Sequence, residues 1–386
     1  MHTKTFQLNW GQRKLEKRLR MLVPILDLCY YIGICVLCSY SINKMATSVL
    51  QPEECRRELE PIPDNPRLTD DERIAILESK ERETGELPPE LRERARVDVR
   101  EEPAIRDHAL AQMRHFIDKH PAIKKCRTDA PFLLRFLRTK KYSIPQACSM
   151  LERYLTIRQM YPHWFQKLDP LDPKIAAVID AGYLLPLPKR DAEGRRVVLS
   201  CMGRFDPHVY DSCVMARVHS MIVELLLDEP RSQLLGYTHV NDEAGMQMPH
   251  VSLWSLTDVR VMLNCIQNST PMRHKRTHFV NIPHYGVKFF EFAVSLLSDK
   301  LKDRVMFHRS SEDLRKYVDP AILPKEYGGA VPLKDMIDEL KRKLLKHRED
   351  LLALDDMCID LYALEKNDLT QDIHSTAGSF RKLELD

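Results

Sequence analysis

The side chains that could do chemistry are plentiful, but few are spaced for it. Ten cysteines and fifteen histidines are scattered along 386 residues. The one close cysteine pair, Cys35 and Cys38, lies inside an apolar run, and no paired CxxC or finger-spaced histidines follow, so zinc is not indicated. His219, His239, His278 and His308 read as hydrogen-bonded core or surface residues rather than ligands. The carboxylates of Asp242 and Glu243 could serve acid–base work, though a capped, solvated strand end is the plainer explanation. GxxxxGKS/T, GxGxxG after a strand, GxSxG and HExxH are all absent, so the expectation is no enzyme, no metal and no cofactor. Spacing does favour anion binding. "LSDKLKDR" sets Lys300 and Arg304 one turn apart on one face, behind an N-cap at Ser298 or Asp299, an arrangement that suits a phosphate. "PMRHKR" adds Arg273 and Lys275 at a strand entry, and "FLLRFLR" offers Arg135 or Arg138 as a fifth charge. A solvated basic rim with no specific ligand is the alternative.

The bulk numbers bound what such a cluster can mean. Basic residues number 59 against 56 acidic, a net charge of only +3, so any basic surface is local and nucleic-acid binding is not expected. Hydrophobic residues are 44% and charged residues 30%, an ordinary globular composition for one large core or two modest ones. The scattered cysteines read as reduced thiols packed as small hydrophobes, which points to the cytosol.

The first fifty residues cut across that reading. "MLVPILDLCYYIGICVLCSYSI" (21–42) is apolar enough to span a bilayer and follows Arg13, Lys14, Lys17, Arg18 and Arg20; taken literally, it would send the rest of the chain across a membrane. The cysteine usage and the cytosolic-looking start at Met45 favour a functional start there, or an overextended gene prediction for 1–44. A genuine anchor or signal is the other reading.

The elements that must position these residues follow from pattern. Residues 45–68 read as a loose arm. Helices are expected from Thr69, with Glu72 completing a capping box, from Pro89, and through Ile105, Ala109, Met113, Phe116 and Ile117. "DAPFLLRFLRTKKYSIPQACSMLERYLTIRQMYPHWF" gives two more and closes a helical domain at 69–165. Strands are expected at 195–202, 234–242, 275–281 and 304–308. They alternate with helices at 211–228 (Met215, Val218, Met221, Ile222 and Leu225 on one side) and 255–268 and with an aromatic helix between the last two strands. A last helix spans about 333–354, so 170–331 forms an α/β domain and 332–386 a helix and tail. The fold class is α/β, a mostly parallel sheet flanked by helices and preceded by a helical subdomain.

Taken in order, "FLLRFLR", "VNDEAG", "VNIP", "LSDKLKDRV" and "LPKEYGG" resemble the CRAL-TRIO (Sec14-like) family, in the branch with α-tocopherol transfer protein and cellular retinaldehyde-binding protein. The resemblance runs from about residue 69 to 335. It departs at "NDEAG", where the usual acidic–x–Gly strand end is altered.

The resemblance implies an apolar ligand cavity with a mobile gate after the N-x-P corner. The residues agree with such a gate: Phe290, Val294, Leu297 and Leu301 recur at helical spacing, and Phe289, Phe292, Ala293 and Leu296 make a second apolar stripe that one core cannot easily cover. The implied cavity lining is Met221, Leu225, Tyr237, Trp254, Met262, Ile266, Phe279, Phe290, Val294 and Leu297. The implied phosphoinositide site is Arg273, Lys275, Lys300 and Arg304, with Arg138. The expected function is a monomeric carrier of one tocopherol-, retinoid- or other isoprenoid-like lipid. It would be cytoplasmic and peripheral on endosomal or plasma membranes, with phosphoinositide-bearing surfaces as partners. A membrane-recruited regulatory module without transport is the alternative.

Overall fold

The computed structural model describes residues 79–284, 287, 297 and 299–365, with the backbone alone at 251, 256, 259, 260 and 263. The apolar run at 21–42, the Thr69 cap, and Phe289, Phe290, Phe292, Ala293, Val294 and Leu296 lie outside the described residues.

Proline opens the helical layer. Pro89 starts α1 (Pro89–Val99) and Pro103 starts α2 (Pro103–Lys119), where a missing N–H costs nothing and φ is already helical. After the three-residue strand β1 (Ile123–Lys125), Asp129 caps α3 (Ala130–Thr139) by accepting from the Phe132 amide at 3.2 Å. Phe132, Leu133, Phe136 and Leu137 of α3 are wholly buried and pack on α4 (Ile144–Met160), with Tyr154 edge-on to both phenylalanines. Ile105, expected on the buried face of α2, is instead exposed.

The sheet has five strands in the order β2–β3–β4–β5–β6. They are β2 (Leu184–Arg190), β3 (Arg196–Cys201), β4 (Tyr237–Asp242), β5 (His274–Val280) and β6 (Val305–His308). From β3 onward the pairs are parallel, and every residue of β3 is buried, as expected of a strand covered on both faces. β2 is antiparallel to β3 and was not expected from the sequence. Pro186 and Pro188 hide it, and they can sit there because β2 is an edge strand. The crossover α5 (Ser212–Leu227) is capped by Asp211, which accepts from the Val214 amide at 2.9 Å. The strand expected at 234–242 begins three residues late, because Pro230–Leu235 is a short helix, α6, ended by Gly236 at φ +88°. After β4 comes α7 (Leu256–Asn264). The C-terminal helix, expected as one piece, breaks at His347 into α8 (Leu333–Lys346) and a short helix at Arg348–Ala353. β7 (Cys358–Ile359) then pairs with β1 and returns the chain to the helical layer.

One apolar core runs unbroken from Ala109 to Leu364 through both layers. The polar joint between the layers is an ion-pair network. The Arg135 guanidinium, 1% exposed, donates to Glu224 and Asp228, each at 2.7 Å. Arg158 reaches Glu224 at 3.1 Å, the Tyr154 hydroxyl donates to Glu224 at 2.7 Å, and Arg127 reaches Asp228 at 3.1 Å. Burial alone would raise both carboxyls, yet Arg135 and the other guanidiniums hold them below the usual range.

Arg135→Met should therefore destabilise the fold by about 3–5 kcal/mol, because it strands two buried carboxylates. Both acids have depressed folded pKa values, so their contribution is complete above the unfolded carboxylate pKa and is lost as pH falls below about 4. Urea titrations at pH 7 and pH 3 should show the wild type losing much of its advantage over Arg135→Met at the lower pH.

Candidate functional site

Helix α5 presents two unlike faces. Met215, Val218, Met221, Ile222 and Leu225 point into the core. Ala216, His219, Ser220, Val223 and Glu224 recur on the opposite side and line a narrow cleft with an enclosed volume of about 60 Å³. Its other walls are Tyr154, Ile157 and Arg158 of α4, Trp164 and Phe165 just beyond, Met262 of α7, and Met272 and His274 at the start of β5. Cys265, Ile266 and Thr270 belong to the π-helical stretch Cys265–Ser269 and the residue after it, a wide turn often found beside ligands.

Of the expected lining, Met262 and Ile266 border this cleft. Met221 and Leu225 do not. They sit on the far face of α5, because the most uniformly apolar face goes where permanent close packing is available. Tyr237 is core as well, its hydroxyl donating to the Leu226 carbonyl at 2.9 Å. Trp254, Phe279 and Leu297 are buried away from the cleft's walls, with Phe279 stacked on Phe307. Phe290 and Val294 lie outside the described residues. His219, read from sequence as an ordinary packed histidine, faces the cleft, and so does His274, which sequence reading did not single out; a helical wheel centred on Ala216 rather than on the apolar maximum would have shown the first.

The basic residues gather at the entry to β5. Arg273 Nη1 donates to the Leu234 carbonyl at 2.5 Å, and a guanidinium nitrogen of Arg304 donates to the His274 carbonyl. Pairing of β4 with β5 slips between Tyr237–His274 and Thr238–Arg276, so Lys275 is the extra residue of a bulge, a device that re-aims a side chain. Gly236 makes the approach feasible: a Cβ there would meet the Arg273 carbonyl at 2.4 Å and Lys275 Cγ at 2.6 Å. Burial, followed by repulsion from Arg273, draws the Lys275 ammonium down to about 8; Arg304 and Arg94 add to this and Asp98 opposes it. Arg273 feels Arg304 and Arg94 in the same way. Arg94, from α1, is a member of this cluster that sequence reading missed.

Two expectations about the cluster need correction. The helix at Asp299–Lys302 is a single turn, and Arg304 lies past it. Arg304 is therefore brought in by strand pairing, its carbonyl accepting from the Thr277 amide at 2.8 Å, and Lys300 sits beside Lys140 instead. Arg138 is unavailable to any headgroup. It is fully buried, with a two-pronged bond to Glu101 (2.6 and 2.7 Å) and further bonds to Gln233 (2.7 Å) and the Gly85 carbonyl (2.9 Å).

The CRAL/TRIO domain matches residues 180–329, and the Pinta-like UBA domain matches 102–175. Clavesin-1 of Pongo abelii is 30% identical over 251 residues, covering 65% of this chain and 71% of its own. The chain belongs to the CRAL/TRIO family. Clavesin-2 of Rattus norvegicus is 28% identical over 290 residues, 74% of this chain and 87% of its own. The crystal structure of Sfh5 matches at TM-score 0.41 and 14% identity over 63% of this chain and 93% of its own. As a CRAL/TRIO protein the chain is a member of a lipid-binding family. Among the described residues no helix is long and apolar enough to cross a membrane.

Three of the CRAL/TRIO motifs meet at one carboxylate. Asp242 of "VNDEAG" accepts from the Tyr327 hydroxyl of "LPKEYGG", from the Asn281 amide of "VNIP" at 2.8 Å, and from the Ala244 N–H at 3.1 Å. Asn281 takes φ +57°, a left-handed conformation that asparagine tolerates. The chain after Pro283 therefore departs from a fixed point.

The low value at Lys275 gives a direct check. With dimethyl-lysine carbon NMR, the Lys275 signal should titrate near 8, well below the ordinary lysine range. Adding an inositol polyphosphate should move its midpoint upward, since an anion favours the ammonium form. A midpoint above 10 in the free protein would contradict the clustering.

Proposed function

We propose that the chain is a monomeric carrier that holds one small hydrophobic lipid of tocopherol, retinoid or other isoprenoid type. The cleft beside α5 forms part of its binding cavity. The protein is cytoplasmic, docks peripherally on endosomal or plasma membranes, and recognises phosphoinositide headgroups with Arg273, Lys275, Arg304 and Lys300. The segment after Pro283 serves as the gate.

One observation supports this above the others. Three consecutive residues link the two sites: His274 is a wall of the cleft, and Arg273 and Lys275 on either side of it belong to the basic cluster. That adjacency supports a carrier whose contact with an anionic surface is felt next to its stored molecule. The energetics suit a gated carrier. Burying roughly 500 Å² of apolar ligand is worth on the order of 12 kcal/mol, so escape into water is negligible and release requires the membrane. Charges near an anionic surface contribute about 1 kcal/mol each, enough to bias a gate but not to replace the cavity.

The test is vesicle co-sedimentation together with transfer of a fluorescent lipid such as retinol between vesicles. Lys275→Ala with Lys300→Ala should lose about tenfold or more in binding to phosphoinositide vesicles, while retinol stays bound in solution. The wild type should also bind these vesicles less well at pH 9 than at pH 7, because Lys275 discharges as pH rises through about 8. Equal vesicle binding by the double variant and the wild type would sink the headgroup assignment.

A further inference from the structure

The wall of the cleft is more particular than an apolar container requires. His274 Nδ1 lies 3.0 Å from His239 Nε2, with the two rings tilted against one another. His219 Nε2 lies 3.0 Å from the Tyr183 hydroxyl. His219 and His274 border the cleft, and His239 stands behind His274. Burial holds all three rings neutral, His239 at about 4 and His219 and His274 at about 3; His239 depresses its two neighbours further, and Arg304 adds to the effect at His274. One atom is left over. His274 Nε2 is buried and has no hydrogen-bond partner, a costly condition unless something else fills it.

The chemistry of that missing partner is constrained. A neutral imidazole has one N–H and one lone pair. If His239 donates to His274 Nδ1, then His274 Nε2 carries the proton and needs an acceptor; if His274 donates, Nε2 needs a donor. A hydroxyl serves either tautomer. A hydrocarbon serves neither, and an ether or ester oxygen serves only one. Charged heads are disfavoured, since Glu224 and Arg158 both sit in the wall: the first opposes a carboxylate and the second an ammonium.

We propose that the cleft selects an uncharged lipid alcohol, with His274 Nε2 holding its hydroxyl and His239 fixing the tautomer behind it. This rests on the carrier reading and narrows it to a class of cargo. Read as a positioning pair, His239 and His274 set which end of the lipid lies deepest, against the start of β5.

The experiment titrates retinol and its methyl ether, followed by retinoid fluorescence, into the wild type, His274→Leu and His274→Gln. The wild type should prefer the alcohol by tenfold or more, because the hydroxyl pairs with whichever tautomer the ring holds, whereas the ether oxygen cannot donate and its methyl group crowds Nε2. His274→Leu should bind both probes within about twofold of each other and keep its affinity for the ether. His274→Gln, whose amide reaches a similar point, should retain a preference for the alcohol. A wild-type ratio below about twofold, or an undiminished ratio in His274→Leu, overturns the proposal and leaves the carrier reading standing. Uptake of neither probe by the wild type counts against both. If the leucine variant does not fold, the wild-type ratio decides alone.

Discussion

The constraint on which the rest depends is the burial of Glu224 and Asp228 against Arg135. A buried carboxylate is tolerated only when paired and fully bonded, and these acids find their partners on the helical layer, in Arg135, Arg158, Tyr154 and Arg127. That requirement fixes how α5 sits against α3 and α4. Glu224 and Arg158 are also walls of the cleft, so the interaction that joins the layers also forms part of the cleft. Nearby, Glu229 is bonded by Arg196 and Arg190, which ties the same corner to the edge of the sheet.

The second consequence concerns the entry to β5. Gly236 lets β5 approach closely, the slip in pairing makes Lys275 an extra residue, and the backbone of His274 is held by Arg304. An imidazole is thereby turned toward the cleft while its two neighbours join a group of mutually repelling cations. The repulsion is tolerable because water reaches that side. An anion would relieve it, which gives the cluster a physical reason to bind one.

Much of the fold was legible from pattern, for stated reasons. The parallel strands are short apolar runs bounded by turn residues, and the capped or proline-led helices announce their starts at Pro89, Pro103, Asp129 and Asp211. β2 was not legible because Pro186 and Pro188 disguise it, and the break at His347 because the apolar spacing runs through it. The cleft was the least legible part. Apolar periodicity finds the face of α5 that packs permanently, at Met221 and Leu225, whereas the cleft face mixes Ala216, His219 and Val223 and shows no apolar maximum. Arg138 misled for a related reason: spacing shows that a charge exists, and only the fold shows that Glu101 has already claimed it.

The central claim is that this CRAL/TRIO chain stores one apolar molecule between α5, α7 and the start of β5. Native mass spectrometry of the purified protein, followed by extraction and identification of what it carries, tests that most directly. The account predicts a single species heavier than the bare chain by the mass of one neutral, predominantly hydrocarbon lipid. A spectrum showing only the bare chain, even after incubation with a cellular lipid extract, would contradict it.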